Sequence, residues 1–291
     1  MTPGASFTAE TVALQRSFES HRPASERLFC DPYADAFLRP ALHVLATASA
    51  APGLRRLAIS LYDLFGGPGP RPSAIVRTRV IDDILTAALI GAEQCVVLGA
   101  GYDTRAHRLT ALADRPVFEV DQPATQAVKR AVVGHLGLAT GNVRYVAVDF
   151  ERDDLAQRLL DEGFDPDTPT VFVWEGVTQY LSAEGVGATL AVVRRLSHEE
   201  SLLVLTYVDV RALSSPSPFP EAARWVRAVA RAGEPWIFGL LPEEAPEFLA
   251  NRGFLLRSDV STLDASRQFS RDRKRRDRGS ALYRIATAEI A

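Results

Sequence analysis

The sequence is poor in cysteine and has no long hydrophobic run. Cys30 and Cys95 are the only cysteines in 291 residues, and they form no CxxC pair. That excludes a disulfide framework and a cysteine-based zinc site, and it fits a reducing, cytoplasmic compartment. Cys95 falls in an apolar stretch and reads as a core thiol. No apolar run approaches the roughly 20 residues of a membrane span. The stretch MTPGASFTAETVALQRSFES has no basic start followed by an apolar block, so it is not expected to be a signal peptide. An excess of charge of one sign is also missing. The net charge is −3, so nothing global calls for nucleic acid or a membrane surface. Internal repeats and low-complexity tracts are absent. The strongest charge run, SRDRKRRDRG from Ser270 to Gly279, reads as a solvated loop because two aspartates dilute it.

Hydrophobic residues make up 47% of the chain, enough for a sizeable core in one large domain or one domain with an appended cap. From Thr8 to Ala92 the pattern is helical. TAETVALQRSFESHR opens with an imperfect capping box, Thr8 as cap and Thr11 where a glutamate would be ideal. DPYADAFL offers Asp31 as a cap and Pro32 at a first helical position. GGPGPRPS, Gly66 to Ser73, is a breaker. AIVRTRVIDDILTAALIGA then carries apolar residues at Val76, Val80, Ile84 and Ala88, which is helical spacing.

From Gln94 the grammar changes to alternation. QCVVLGA, PVFEVD, VRYVAVDF, TVFVWEG and ESLLVLTYVD read as strands. The segments between them, Thr104–Ala113, Pro123–Leu138, Asp153–Glu162 and Ser182–Leu196, read as helices. That alternation predicts a mainly parallel α/β sheet with right-handed crossovers. A proline- and serine-rich stretch follows Asp209. Helices are expected at Glu221–Ala232 and Glu243–Asn251. FLLRSDV and ALYRIATA are expected to close the sheet as an antiparallel hairpin at one edge. Residues 210–250 read as an insertion over the active face.

In an open α/β sheet ligands sit outside the carboxyl ends of the strands. Here those ends carry Gly99-Ala100-Gly101, then Glu119-Val120-Asp121, then Asp149, then Glu175. Asp121 stands 20 residues after Gly101, where an acidic side chain takes the hydroxyls of a ribose. The third glycine of G-x-G-x-x-G is replaced by Thr104, and Asp103 puts negative charge where a pyrophosphate needs donors. Both features suit a nucleoside without phosphate and with a cationic centre, which is S-adenosylmethionine. They disfavour a nicotinamide-dependent oxidoreductase. A non-catalytic nucleoside-binding module remains a rival. Asp149 is placed to accept from an adenine amino group, with a helix cap as the alternative. Glu175 closes an apolar strand and is costly to bury without purpose.

RTRVIDD, VVLGAGYDTRAHRL, VFEVDQP, VAVDF and WEGVTQYL occur in this order, and with them the chain resembles the leucine carboxyl methyltransferase superfamily. Within it the chain resembles the actinobacterial S-adenosylmethionine-dependent branch, which includes enzymes that methylate polyketide carboxylates. The resemblance spans roughly residues 10 to 210 and implies a class I methyltransferase fold, Rossmann-like. Residues 1–92 would form a helical cap, 93–291 the cofactor-binding domain, and 210–250 a lid. It also implies roles. Arg79 would pair with the cofactor's carboxylate, with a surface ion pair to Asp82 or Asp83 as the alternative, and Arg77 would face elsewhere. Gly99, Ala100 and Gly101 would admit the ligand to the backbone. Asp121 would bind the ribose, Asp149 and the backbone of Phe150 the adenine, and Glu175 would sit beside the amino group. Tyr180 would line the floor near the methyl. Arg16 or Arg22 would be a second contact to the carboxylate.

Methyl transfer from a sulfonium is an in-line displacement that mainly needs positioning and exclusion of water. A carboxylate acceptor, with a pKa near 4, needs no base at pH 7, whereas a phenol near 10 does. Of the five histidines only His107 is expected near the rim, as a candidate base. The expected activity is O-methylation of a small-molecule natural product such as a polyketide; a protein C-terminus is the alternative acceptor. Phe219, Trp225, Trp236 and Phe238 would suit a flat apolar acceptor.

Overall fold

The computed structural model describes residues 6–66, 70–273 and 278–291. Five strands form its parallel part: β1 (Gln94–Leu98), β2 (Val117–Asp121), β3 (Val143–Ala147), β4 (Thr170–Trp174) and β5 (Leu202–Val208). The closing strands β6 (Phe254–Ser261) and β7 (Tyr283–Ile290) complete a seven-stranded sheet in the order β3-β2-β1-β4-β5-β7-β6. β6 and β7 pair antiparallel as expected, but β7 is the inner strand, antiparallel to β5 as well. β1 pairs with both β2 and β4, so the chain reverses its direction of travel across the sheet there. That reversal opens the crevice in which such sheets hold ligands.

Alternate residues of each strand feed opposite layers, as a period of two requires. Val96, Leu98, Phe118, Val120, Phe172 and Trp174 join one core. They pack with α7 (Leu155–Asp161), α8 (Ala183–Leu196) and α10 (Ala245–Ala250). Cys95, Val97, Val117, Val171, Val173 and Val204 join the other, under Ile81, Leu85 and Leu89. The first two of these belong to α4 (Pro70–Ala88). β1 and β4 are buried at every position, which explains their uninterrupted apolar lettering. The expectation of a buried Cys95 thiol holds.

The helical N-terminal region consists of α1 (Phe7–Ser20), a 3₁₀ turn (Ala34–Phe37), α2 (Pro40–Ala50), α3 (Arg55–Gly66) and α4. Two expected caps are corrected. Ser6 caps α1, its side chain accepting from the Ala9 N–H at 3.1 Å, and Thr8 lies inside the helix. Asp31 caps no α-helix. It is buried, and it accepts from Arg16 Nε and the Thr104 hydroxyl at 2.8 Å each. The helix expected at Thr104–Ala113 is α5 (Arg105–Arg108), followed by a 3₁₀ turn (Thr110–Leu112), because Leu109 between them is extended. The stretch from 262 onward, expected as a loop between β6 and β7, is α11 (Thr262–Arg273). The charge run begins in its last turn, and positions 274–277 lie outside the described residues. So do positions 67–69 of the glycine–proline breaker, after which α4 starts at Pro70, the arrangement proline favours. The remaining helices are α6 (Pro123–His135) and α9 (Ala222–Arg231).

Ser182 is the N-cap of α8, its hydroxyl oxygen accepting from the Gly185 N–H at 3.1 Å. Ser182→Ala leaves that donor without its acceptor. Urea denaturation is expected to register a loss of about 1 kcal/mol, and Thr11→Ala, a half-buried change that removes no cap, should cost less than half as much.

Candidate active site

The carboxyl ends of β1 to β4 open into one cavity of about 1170 Å³. The turn after β1 needs glycine at two places. Gly99 and Gly101 have φ of +70° and +48°. A Cβ on Gly99 would stand 2.2 Å from Val177 Cγ2, and one on Gly101 would press on Ala9 of α1. The turn is pinned to β2: Gly99 and Ala100 donate N–H bonds to the Val120 carbonyl at 2.8 and 2.9 Å. Asp121, at the end of β2, accepts a short bond from the Gly101 N–H and a second from the Gln122 N–H at 2.7 Å. Burial raises its pKa, and those two N–H donors counter the rise only in part. Glu119 is buried, does not line the cavity and pairs with buried Lys129 at 2.6 Å.

Asp149 and Phe150 line the same cavity beyond β3. Asp149 accepts from the Glu151 N–H at 3.1 Å, but the cap of α7 is Asp154. Glu175, after β4, caps no helix. It receives Arg77 Nε at 2.5 Å and Arg105 Nη1 at 2.6 Å. Burial would push its pKa up; the two guanidiniums outweigh that and hold it below the ordinary value.

Arg105 is the hub of this ionic cluster, a role that sequence reasoning missed although the residue sits inside a quoted motif. Its Nε bonds Asp82 of α4 at 2.7 Å, and its Nη1 bonds both Asp103 and Glu175. Arg108 takes the second oxygen of Asp82 at 2.6 Å. Burial opposes the charge on Asp103, but Arg105, Lys129 and Arg108 hold it well below the carboxylate range. Asp103 therefore enters the turn already compensated, within the same side-chain cluster.

The arginine on the cavity wall is Arg77, not Arg79. Two positions along an α-helix turn the side chain by about 200°. Arg79 points away and is held by Asp83 at 2.8 Å and the Leu28 carbonyl at 2.7 Å. Arg77 is buried, stacks 5.0 Å over the Tyr283 ring and spends only Nε on Glu175. Among the described residues no acceptor bonds its Nη1 or Nη2, which lie beside Gly176 on the cavity wall. Of the two N-terminal arginines, Arg16 lines the cavity, while Arg22 pairs with Glu19.

His107 does not reach the cavity. It sits edge-on to Tyr33 with its Nε2 buried, and burial lowers its pKa. No histidine lines the cavity among the described residues. Tyr180 does line it, its hydroxyl 3.4 Å from the Thr8 hydroxyl, and burial raises its pKa. Glu234, also missed, accepts from the Phe7 and Thr8 N–H groups at 3.0 and 3.1 Å and from the Thr8 hydroxyl. Beside it Trp225, Trp236 and Tyr283 form an aromatic cluster with ring centroids 5.2–6.4 Å apart. Trp225, Ala228, Val229 and Ala232 present one face of α9 to the cavity. Phe219 and Phe238 pack against the cores instead.

A parallel sheet whose β1 ends in a two-glycine turn, with acids closing β2 to β4, defines a class I S-adenosylmethionine-dependent methyltransferase. The chain belongs to the leucine carboxyl methyltransferase family, whose pattern it matches over residues 9–194. It is 34% identical over 265 residues to a protein of Parafrankia sp., covering 90% of this chain and 81% of that one. A Streptomyces coelicolor protein is 32% identical over 288 residues, covering 86% and 91%. Both are named as S-adenosyl-L-methionine-dependent methyltransferases. Among solved structures, a methyltransferase of Thermobifida fusca superposes with a TM-score of 0.62 at 18% identity, covering 99% and 97% of the two chains. A DUF574 family protein of Streptomyces avermitilis gives 0.58 at 17%, covering 100% and 99%. These two share the fold.

Removing the hub leaves buried acids uncompensated, so Arg105→Met should destabilise the fold by about 3–5 kcal/mol in urea titrations. Asp103 and Glu175, whose folded pKa values are depressed, contribute stability that is fully present above about pH 4. That contribution is lost as pH falls towards the folded values. Glu175→Gln should flatten the fall in stability between pH 5 and 3; an unchanged slope would remove Glu175 from this account.

Proposed function

We propose that the chain transfers methyl groups from S-adenosylmethionine to an oxygen of a small apolar molecule, with a carboxylate preferred over a phenolic hydroxyl, as in polyketide natural products. One observation carries this reading. The glycine turn and the acids occupy one end of a cavity whose other end is aromatic, and its volume exceeds the roughly 300–1,000 Å³ of a single-ligand site. There is room for a cofactor and an acceptor side by side. In this reading residues 1–92 form the cap, 93–291 the cofactor-binding domain and 210–250 the lid.

The residues fit the cofactor. The missing Cβ of Gly99 and Gly101 lets the backbone come close. Asp121 would hold the ribose hydroxyls, Asp149 and Phe150 the adenine, and Arg77 with Arg16 the carboxylate. Glu175 would share its charge between its two arginines and the cofactor's amino group. When bound, S-adenosylmethionine supplies an electrophilic methyl on a sulfonium. The chain's part is to orient the acceptor and exclude water. Tyr180, Trp225 and Trp236 would hold the acceptor's apolar body, and α1, latched by Glu234, would roof the site. The lack of a histidine on the cavity wall favours an acceptor that is already an anion at pH 7.

Calorimetric titration with S-adenosylhomocysteine and with NAD tests the cofactor reading; binding of NAD alone would refute it. Asp121→Ala should weaken S-adenosylhomocysteine by roughly 1–3 kcal/mol. Arg77→Lys should weaken it although the charge is kept, because an ammonium cannot make two parallel bonds to a carboxylate, and Arg77→Ala should weaken it further. Arg79→Ala is the control and should leave affinity unchanged. Transfer of labelled methyl to apolar aromatic acids, but not to their matched phenols, is the expected acceptor pattern.

A further inference from the structure

Five of the twelve exposed large hydrophobic side chains among the described residues cluster in one place. Val44, Leu54, Leu57, Leu61 and Leu64 are 69%, 51%, 67%, 46% and 63% exposed, and all belong to the α2–α3 hairpin. The last four follow a 3-4-3 spacing, which places them on one stripe along α3. Isolated exposed leucines are ordinary; a contiguous stripe marks an interaction surface. The stripe runs into the cavity, because Leu61 is also part of its wall, as are the exposed Phe7 and Ile237.

α9 packs beside α3, and Arg224 donates to the Leu64 carbonyl at 3.0 Å. α9 turns its apolar face to the cavity, leaving Arg224, Arg227 and Arg231 exposed, and it contains no acidic residue. Arg56 of α3 is exposed too. Among the described residues Arg56, Arg227 and Arg231 form no ion pair. Beside the cavity, the outer surface of α3 and α9 thus carries leucines on one helix and cations without an ion pair on both. The near-neutral net charge of −3 conceals this local excess.

We propose that this face docks on an anionic lipid surface, the leucines of α3 entering the headgroup boundary and the arginines lying against lipid phosphates. Apolar side chains beside arginines are the composition of helices that lie in that interface. A second copy of the chain fits less well, because a two-fold contact through the stripe would bring the arginines of both copies together. No helix of the described residues is long and apolar enough to cross a membrane, so the attachment is peripheral. Docked this way, the mouth between α3 and α9 opens towards the bilayer, and an acceptor dissolved there enters without crossing water. Only this last step rests on the proposed acceptor; the docking itself does not.

The test is co-sedimentation of the full chain with vesicles of phosphatidylcholine, with and without phosphatidylglycerol. Each arginine near an anionic surface contributes roughly fivefold to binding. Binding to the anionic vesicles should exceed binding to the neutral ones by at least tenfold and fall in high salt. Leu57→Ser with Leu64→Ser, and separately Arg227→Glu with Arg231→Glu, should each lower it by tenfold or more. Affinity for S-adenosylhomocysteine should stay unchanged in both, which also shows that they fold. Failure of the unmodified chain to sediment with anionic vesicles overturns the proposal. So does binding indifferent to both pairs of changes, or a dimer in sedimentation velocity that the serine pair dissociates.

Discussion

The guanidinium of Arg105 holds together three acids that come from three different parts of the chain: Asp82 on α4, Asp103 in the glycine turn and Glu175 beyond β4. With Arg77 and Arg108 the cluster has three positive and three negative groups, so the inner wall of the cavity is close to neutral although it is made of charges. Such clusters are not cheap sources of stability, since each ion must leave water. Their value here is geometric. Bonds of 2.5–2.9 Å with fixed directions leave little freedom in how α4 meets the carboxyl rim of the sheet, and the helix carrying Arg77 is placed by them.

The roof depends on that placement. α1 touches the sheet rim where Ala9 faces Gly101, and Arg16 reaches the Tyr102 carbonyl and Asp31. Its N-terminal end is fastened by Glu234, a carboxylate set against the first N–H groups of a helix, where the helix dipole favours it. Tyr102 stacks on Phe37 at 5.0 Å and ties the glycine turn to the same N-terminal helical region. A cavity formed by segments more than 200 residues apart in sequence is therefore closed by a few directional bonds.

Much of this was legible in the sequence where the local pattern had one physical outcome. The apolar strands, the glycine turn, the strand-end acids and the extent of α8 followed from periodicity and turn chemistry. Arg79 was matched to the cavity although Asp82 and Asp83 lie within its helical reach and no acid lies within that of Arg77, because the phase of α4 is set by burial against the sheet. Asp31 has the pattern of a helix cap, yet tertiary partners, Arg16 and Thr104, claimed it. Ser6 rather than Thr8 caps α1, since Thr8 answers to Glu234, 226 residues away. His107 lies one turn beyond the glycines, but α5 is too short and too tightly held by Arg105 and Arg108 to turn it to the rim. α11 is built from a polar sequence with a weak apolar face, which reads as a loop.

The three tryptophans divide by depth. Trp174 is sealed in the core of β4, whereas Trp225 and Trp236 stand on the cavity wall, the first stacked on Tyr283 and the second edge-on to it, with the guanidinium of Arg77 over the Tyr283 ring. The chain's intrinsic fluorescence therefore has one emitter blind to ligands and two in electronic contact with whatever fills the aromatic end. A molecule settling there changes the emission of those two, and an occupant confined to the glycine turn reaches them only through Arg77.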